Sequence, residues 1–305
     1  MNISGVILAA GQGTRMKSPL PKVLHNVLGS PMINYAQEAI SDLKNKYVVV
    51  GHQYKTVIVN LFESFIPILQ EEQLGTGHAI SILLESSEYK NDENEYLVVI
   101  PGDVPLIKKE DLQKLIDDVV QEKAAIGIIT AFVDNPYGYG RIVKNNDEFE
   151  KIVEETDASE SEKQINEINS GIYCIEKTFL EKNIGSLETT NIQKEFYLTD
   201  LINIAFQNKL GRVIVQVNED SIQGVNSMSQ LNDVENTLRK QLIESHMENG
   251  VYFQDPNSTY IDKSVHIEAG ARILANCHLT GKTIIDKDCV IGPNSIINDS
   301  KIGEG

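Results

Sequence analysis

Over the first 225 residues, short apolar runs of strand length alternate with longer amphipathic stretches. The pattern predicts strands at Ser4–Ala10, Tyr47–Gly51, Pro67–Gln70, Tyr96–Pro101, Ala124–Phe132, Ile168–Ile175 and Arg212–Val217. Helical spacing falls between them, at Met32–Leu43, Thr76–Leu84, Lys109–Glu122 and Thr199–Gln207. Such alternation describes an α/β sheet with helices on both faces. In these sheets ligands bind beyond the carboxyl ends of the strands.

From Met228 to Glu248 the pattern becomes one helix with Leu231, Val234, Leu238, Leu242 and Ile243 on a single face. This fits a connecting arm and equally a last helix packed on the first domain. Beyond it, Ile261, Ile267, Ile273, Leu279, Ile285, Ile291 and Ile297 fall at an unbroken period of six. Four residues after each come Val265, Ala271, Cys277, Thr283, Cys289, Ser295 and Lys301, nearly all small. An apolar beat of six with small residues at the inward corner is the hexapeptide pattern of a β-helix of short parallel strands. Cys277 and Cys289 are then corner fillers. At about 18 residues per coil, Tyr260 to Gly305 supplies about two and a half coils, so the last coil is expected to fray or be covered by another subunit.

Charge narrows the partners. With 44 acidic against 27 basic residues the net charge is −17, which argues against general nucleic-acid binding. Much of the excess is local: the segment 145–167 holds nine acidic residues against Lys151 and Lys163 and reads as a solvated loop or lobe edge. The longest apolar stretch near the start, Val6–Ala10, is too short for a signal core or a membrane span. Three cysteines without C-x-x-C spacing suggest neither a disulfide framework nor a zinc site. These features read as a cytoplasmic chain without membrane insertion.

Against this acidic background, Leu8 to Leu24 stands out as LAAGQGTRMKSPLPKVL. An apolar strand runs into a loop with Gly11 and Gly13, then Arg15, Lys17 and Lys22. Glycines let the backbone turn tightly and bring its N–H groups to a ligand, and the cations can neutralise an anion cradled there. Together they describe a triphosphate site. A dinucleotide fingerprint would need glycine where Met16 stands, and no P-loop spacing occurs.

Two further segments carry chemistry. LQEEQLGTGHA, Leu69 to Ala79, follows a strand and opens a helix. Glutamine amides offer both a donor and an acceptor, which suits the imide edge of uracil. Gly75 and Thr76 can present backbone groups and a cap, and G-T-G alone also fits a plain helix cap. His78 falls inside that helix and reads as packing. In YLVVIPGDVP, Gly102-Asp103 leaves one carboxylate at the end of an apolar strand. Mg²⁺ takes one or two such oxygens beside phosphates and waters, although a lone Gly-Asp is also a common turn.

The glycine block resembles the signature loop of the sugar-1-phosphate nucleotidyltransferases, L-x-x-G-x-G-T-R-M followed by P-K. With Lys22 in P-K-V-L-H, it is most similar to the bacterial N-acetylglucosamine-1-phosphate uridyltransferases. The resemblance implies a Rossmann-like nucleotide-diphospho-sugar transferase domain over 1–227. A connecting helix over 228–249 and a truncated left-handed parallel β-helix over 250–305 would follow. It implies catalytic roles for Arg15, Lys22 and Asp103, and nucleotide contacts from Leu8, Ala9, Ala10, Gly11 and Gly102. It assigns the uracil to Gln70, Gln73, Gly75 and Thr76. Magnesium falls to Asp103 and to Asn226, which lies in Q-G-V-N where the family has E-G-V-N. The sugar falls to Gly140 in the hinge-like loop before Arg141, to Glu154, to Asn169 in E-I-N-S-G, and to Tyr197 and Thr199.

The expected reaction is UTP plus N-acetylglucosamine 1-phosphate giving UDP-N-acetylglucosamine and pyrophosphate, with Mg²⁺ as cofactor. In the family a longer β-helix carries a second, acetyl-transfer activity in coils this sequence does not contain, so none is expected from it. The β-helix implies a homotrimer. Thr156 stands where the family usually has lysine, and Pro101 where tyrosine or serine is frequent. A related enzyme for another sugar or base, or a non-enzymatic sensor subunit, is the alternative. L-G-T-G-H-A and E-I-N-S-G argue against the first, and intact Arg15, Lys22, Asp103 and Asn226 against the second.

Overall fold

The structure, a computed structural model, describes residues 2–305 except 12, 53–60, 62, 63 and 147, and of Thr14 only the backbone. Gln12 of the glycine block and Asp147 of the acidic stretch therefore lie outside the described residues. The chain divides into two compact units, Met1–Val23 with Ile33–Gly224, and Leu24–Met32 with Val225–Gly305.

In chain order the strands up to residue 216 are β1 (Ile3–Ala9), the short pair β2 (Asn26–Val27) and β3 (Ser30–Pro31), β4 (Asn45–Gly51), β5 (Ile66–Gln70) and β6 (Tyr96–Pro101). They continue with β7 (Ile126–Phe132), β8 (Arg141–Asn145), β9 (Glu148–Val153), β10 (Glu167–Glu176) and β11 (Arg212–Gln216). All but β2 and β3 form one sheet in the first unit. Its order is β11-β7-β10-β6-β1-β4-β5, with the β8–β9 hairpin attached to β10. The β1 strand runs parallel to both β4 and β6, β4 to β5, and β7 to β11. The β10 strand is antiparallel to both of its neighbours, β6 and β7. Every predicted strand forms. The β8–β9 hairpin occupies part of the segment expected to be a solvated loop, because Ile142, Phe149 and Ile152 join the buried core despite the acidic residues between them.

At the amino ends of β1, β4 and β6 a polar cluster ties the central strands together. The Asp92 carboxylate accepts from Ser4 Oγ, from Tyr47 Oη at 2.8 Å and from the Asn94 N–H at 2.8 Å. Asn94 Nδ2 donates to Ser4 Oγ at 2.6 Å, and Lys177 Nζ donates to the Asp92 carbonyl. Asp92, Asn94 and Ser4 are all buried. A buried polar group keeps its place only when its partners are present.

In the second unit the helix Met228–Glu248 starts at Ser227, whose side chain accepts from the Gln230 N–H. It buries Val234, Arg239 and Ile243. Arg239 Nη1 donates to the carbonyls of Asn257 and Thr259, each at 2.9 Å. The Leu24–Met32 segment, expected within the first domain, belongs to this unit. Its Leu28 N–H donates to Glu235 and its Leu28 carbonyl accepts from Lys263. The helix is thus packed within the second unit.

From Tyr252 onward, strands of two or three residues stack into three parallel sheets. Ile261 pairs with Leu279 and Leu279 with Ile297, eighteen residues apart in each case. Val265, Ala271, Cys277, Thr283 and Cys289 are buried as expected of inward corners. The series breaks at its last member. Ile285 pairs with Ile302, seventeen residues on, so the coil loses one residue. Lys301 is consequently exposed, and Ser300 takes the corner with its carbonyl accepting from the Ile284 N–H at 2.9 Å.

Burial pushes the Asp92 carboxyl up, but hydrogen bonds from Ser4, Asn94, Asn45 and Tyr47 outweigh it and hold it below the ordinary carboxylate range. A depressed carboxyl stabilises the fold above its unfolded pKa, and that stability is lost as pH falls through the folded pKa. Asp92→Asn is expected to cost about 1–3 kcal/mol at neutral pH. The difference from wild type should close under strongly acid conditions in urea titrations followed by circular dichroism.

Candidate active site

The glycine loop leaves β1 at Ala10 and is built against the segment that carries Lys22. Gly13 has φ +61, and a Cβ there would lie 2.7 Å from Lys22 Cβ, so only glycine lets the two segments pass. The loop buries Met16 and leaves Arg15 exposed. Lys22 Nζ is ion-paired with Asp103 Oδ2, with 16% and 18% of the two side chains exposed. Gly102, at the end of β6, donates its N–H to the Leu8 carbonyl at 3.0 Å, which holds the Gly-Asp turn beside the glycine loop. The Tyr139 phenol is held above its usual range by burial. Gly224 opposes that rise, and the charges of Asp103 and Arg15 both act on it, so the three share one region.

The glutamine segment joins the same end of the sheet. Gln73 is exposed, and its Nε2 donates to the Ala10 carbonyl. Gln70 is buried, with Nε2 3.4 Å from the Gly75 carbonyl and 3.1 Å from His78 Nδ1, so it supports the loop from within. Gly75 caps the helix Thr76–Glu85 with φ 107 and no side-chain bond. A Cβ on Gly75 would meet the Phe196 carbonyl at 2.6 Å. Thr76, expected to contribute a cap, instead accepts the Leu198 N–H on Oγ1 at 3.1 Å. The segment 74–77 is thereby laced to 196–198, which carries Tyr197 toward the next group. His78 packs beside Phe196, with ring centroids 6.3 Å apart, as its position in the helix suggested.

Gly140, Glu154, Asn169 and Thr199 come together. The Asn169 N–H donates to the Gly140 carbonyl at 2.9 Å. A Cβ on Gly140 would lie 3.4 and 3.5 Å from the two Glu154 carboxylate oxygens. Thr199 Oγ1 donates to Glu154 Oε1 at 3.3 Å. Tyr197 Oη donates to Gln193 Oε1 at 2.9 Å and lies 3.3 Å from Asp157 Oδ2. Burial lifts its phenol to about 12. The loop before Gly140 is latched by Glu155, which accepts from the Gly138 N–H at 3.0 Å and from Arg141 Nη2 at 2.6 Å.

Because β10 runs opposite to β6 and β7, its first residues lie at their carboxyl ends. Asn169 therefore reaches the ligand end of the sheet from the start of a strand. Sequence reasoning missed Tyr139, Tyr173 and the Glu155 latch. The one signal for Tyr173 was a hydroxyl in the otherwise apolar run Ile172–Ile175. Asn226 belongs to the second unit, just before its long helix, where its N–H donates to Gln230 Oε1 at 2.8 Å.

Among the described residues no three His, Cys, Asp or Glu side chains gather as a metal cluster. Asp103, a partly exposed carboxylate at a strand end, is of the donor type that a phosphate-bound Mg²⁺ takes. No helix among the described residues is long and apolar enough to cross a membrane.

These features define a nucleotidyltransferase, and residues 5–144 match the MobA-like NTP transferase domain. Residues 264–299 match the bacterial transferase hexapeptide family of six repeats. The chain is 43% identical over 310 residues to the bifunctional protein GlmU of Clostridioides difficile (strain 630), covering 100% of this chain and 66% of that protein. It is 41% identical over 309 residues to that of Alkaliphilus metalliredigens (strain QYMF), covering 100% and 67%. The chain belongs to the GlmU family and spans about two thirds of the length of these relatives. Among solved structures, a putative glucose-1-phosphate thymidylyltransferase from Bacillus anthracis superposes with TM-score 0.60 at 20% identity, over 76% of this chain and 94% of that one. The inositol-1-phosphate CTP transferase from T. maritima gives 0.57 at 14%, over 76% and 96%. These two establish a shared fold.

Burial raises the Glu154 carboxyl above its ordinary range. Thr199 opposes the rise, and Asp157, Asp200 and Glu195 add to it. A raised carboxyl costs stability once pH exceeds its unfolded pKa, and the cost is complete above the folded value. Glu154→Gln is therefore expected to raise the melting midpoint near about pH 8, with the gain vanishing near about pH 4. A thermal melt series across that range measures it.

Proposed function

We propose that this chain transfers the uridylyl group of UTP to N-acetylglucosamine 1-phosphate, releasing pyrophosphate. The observation that carries the reading is the junction of the glycine loop with Asp103. Gly13 admits Lys22, Lys22 pairs with Asp103, and Gly102 is bonded back to Leu8. This joins an anion cradle to a magnesium-type carboxylate at one end of one sheet. Glu154, Asn169 and Thr199 supply the acceptors and donors that sugar hydroxyls and an acetamide require.

The sugar phosphate oxygen attacks the α-phosphorus of UTP in line as the bond to pyrophosphate breaks. No nucleophilic side chain takes part, so the work is positioning and charge neutralisation. Arg15 and Lys22 bind the departing pyrophosphate, whose charge grows in the transition state. Gln73, with Gly75 and Thr76, reads the uracil, and Gln70 keeps that loop in shape. Bound Mg²⁺, held by Asp103, would neutralise phosphate charge. Three-fold association through the β-helix and a cytoplasmic site of action complete the reading.

Pyrophosphate release from a panel of nucleotides and sugar phosphates tests this. Turnover is expected with UTP and N-acetylglucosamine 1-phosphate, and its loss on chelating Mg²⁺. A preference for another base or sugar would overturn the substrate assignment. Arg15→Ala should lower turnover by at least ~10²-fold, the scale for losing a donor to transition-state charge. A rate near wild type would remove Arg15 from the site.

A further inference from the structure

The first turn of β10 departs from the sheet in a specific way. From Asn169 to Tyr173 the strand advances four residues while its partner β7 advances two, from Thr130 to Ile128. The extra residues form a bulge pinned by the Ser170 hydroxyl. Ser170 Oγ donates to the Ile129 carbonyl at 2.8 Å and accepts from the Ile172 N–H at 3.1 Å. Gly171 has φ +77, and a Cβ there would lie 3.0 Å from the Pro101 ring. That left-handed turn aims the Gly171 N–H at Asn169 Oδ1, 3.0 Å away.

This contact decides which way the amide faces. A backbone N–H can only donate, so the atom it meets is the oxygen, and the atom 2.7 Å from the Tyr173 hydroxyl is Asn169 Nδ2. Tyr173 is 3% exposed and lies between β6 and β7, paired with Val99 and Ile128. Its hydroxyl therefore accepts from Asn169 and has its own proton left to donate. An amide carries two N–H groups and two acceptor lone pairs. With one of each engaged by the protein, Asn169 retains one donor and one acceptor in fixed directions.

We propose that Tyr173 is a positioning residue for the sugar side of the reaction, acting through Asn169 by fixing its amide plane. The inference rests on the reading of Glu154, Asn169 and Thr199 as the sugar site. Without the phenolic oxygen, the inner N–H of Asn169 has a buried position and no acceptor. The amide then turns to satisfy it and gives up the direction the sugar needs. Among the described residues, the nucleotide half of the site shares no hydrogen bond with this pair.

Steady-state kinetics of Tyr173→Phe, Asn169→Ala and the double variant test the proposal. Tyr173→Phe should raise KM for the sugar phosphate about tenfold. KM for UTP and kcat should stay within about twofold, since phenylalanine refills the same space. In the Asn169→Ala background the second substitution should add less than about twofold, because its only route is gone. An unchanged KM for the sugar phosphate in the single variant would overturn the proposal. So would an equal rise in both backgrounds, or a parallel rise in KM for UTP. If the wild type prefers a different sugar phosphate, the substrate assignment fails. The same cycle run with that substrate still returns the coupling expected, or its absence. A wild type that turns over no sugar phosphate overturns both.

Discussion

A single reversed strand organises the first unit. The β10 strand lies antiparallel between β6 and β7, which in a purely parallel sheet would present only their following loops at the carboxyl edge. Reversal puts the beginning of β10 at that edge, so Asn169 arrives there on a strand instead of a loop. The β8–β9 hairpin pairs onto the same stretch through Ile168 and Arg141, which brings Gly140 and Glu154 alongside. Sites built on strands hold their side chains more precisely than sites built on loops. The proposed sugar site would gain that precision from the direction of one element.

The two halves also differ in charge. Arg15, Lys17 and Lys22 stand in the glycine loop, whereas the surroundings of Glu154 are Asp157, Glu195 and Asp200. In a chain of net charge −17 this segregation is informative. A polyanionic triphosphate needs cations and backbone N–H groups where its charge lies. A neutral sugar ring presents hydroxyl donors, which carboxylates accept. On the proposed reading, opposite local fields would orient a sugar phosphate with its phosphate toward the loop and its ring toward the carboxylates.

The fold was readable where one rule acted alone. Runs such as Tyr96–Pro101 are buried on both faces and need no context, and the hexapeptide beat predicts its own stacking until Ile302. The glycine loop was equally readable, since close packing of Gly13 on Lys22 leaves a direct mark in residue type. The β8–β9 hairpin was hidden because its inward residues, Phe149 and Ile152, are embedded among acidic ones that face outward. The association of Leu24–Met32 with the second unit was hidden for another reason. It depends on contacts with Glu235 and Lys263, more than two hundred residues away, which no local pattern announces. Tyr173 was overlooked because an aromatic in a buried strand has the composition of a core, and only its partner shows that its hydroxyl is employed.

Two of the departures from the family pattern, Pro101 and Thr156, lie by the proposed sugar site, and the structure gives each a neighbour. Pro101 lies against Gly171, the residue that turns the β10 bulge and fixes one end of the Asn169 amide. Thr156 Oγ1 donates to Asp157 Oδ2 at 3.1 Å and bonds the Tyr197 hydroxyl, where a lysine would instead bring a charge. The glycine loop permits no comparable exchange. Gly13 passes so close to Lys22 that a Cβ there would lie 2.7 Å from Lys22 Cβ, and any side chain would force the two segments apart. The proposed sugar site rests largely on side-chain hydrogen bonds, in which one donor or acceptor can be replaced by another at a neighbouring position. On the proposed reading, the phosphate loop depends on a glycine that no other residue can replace, whereas Glu154, Thr199 and the Asn169 amide are tied by side-chain hydrogen bonds.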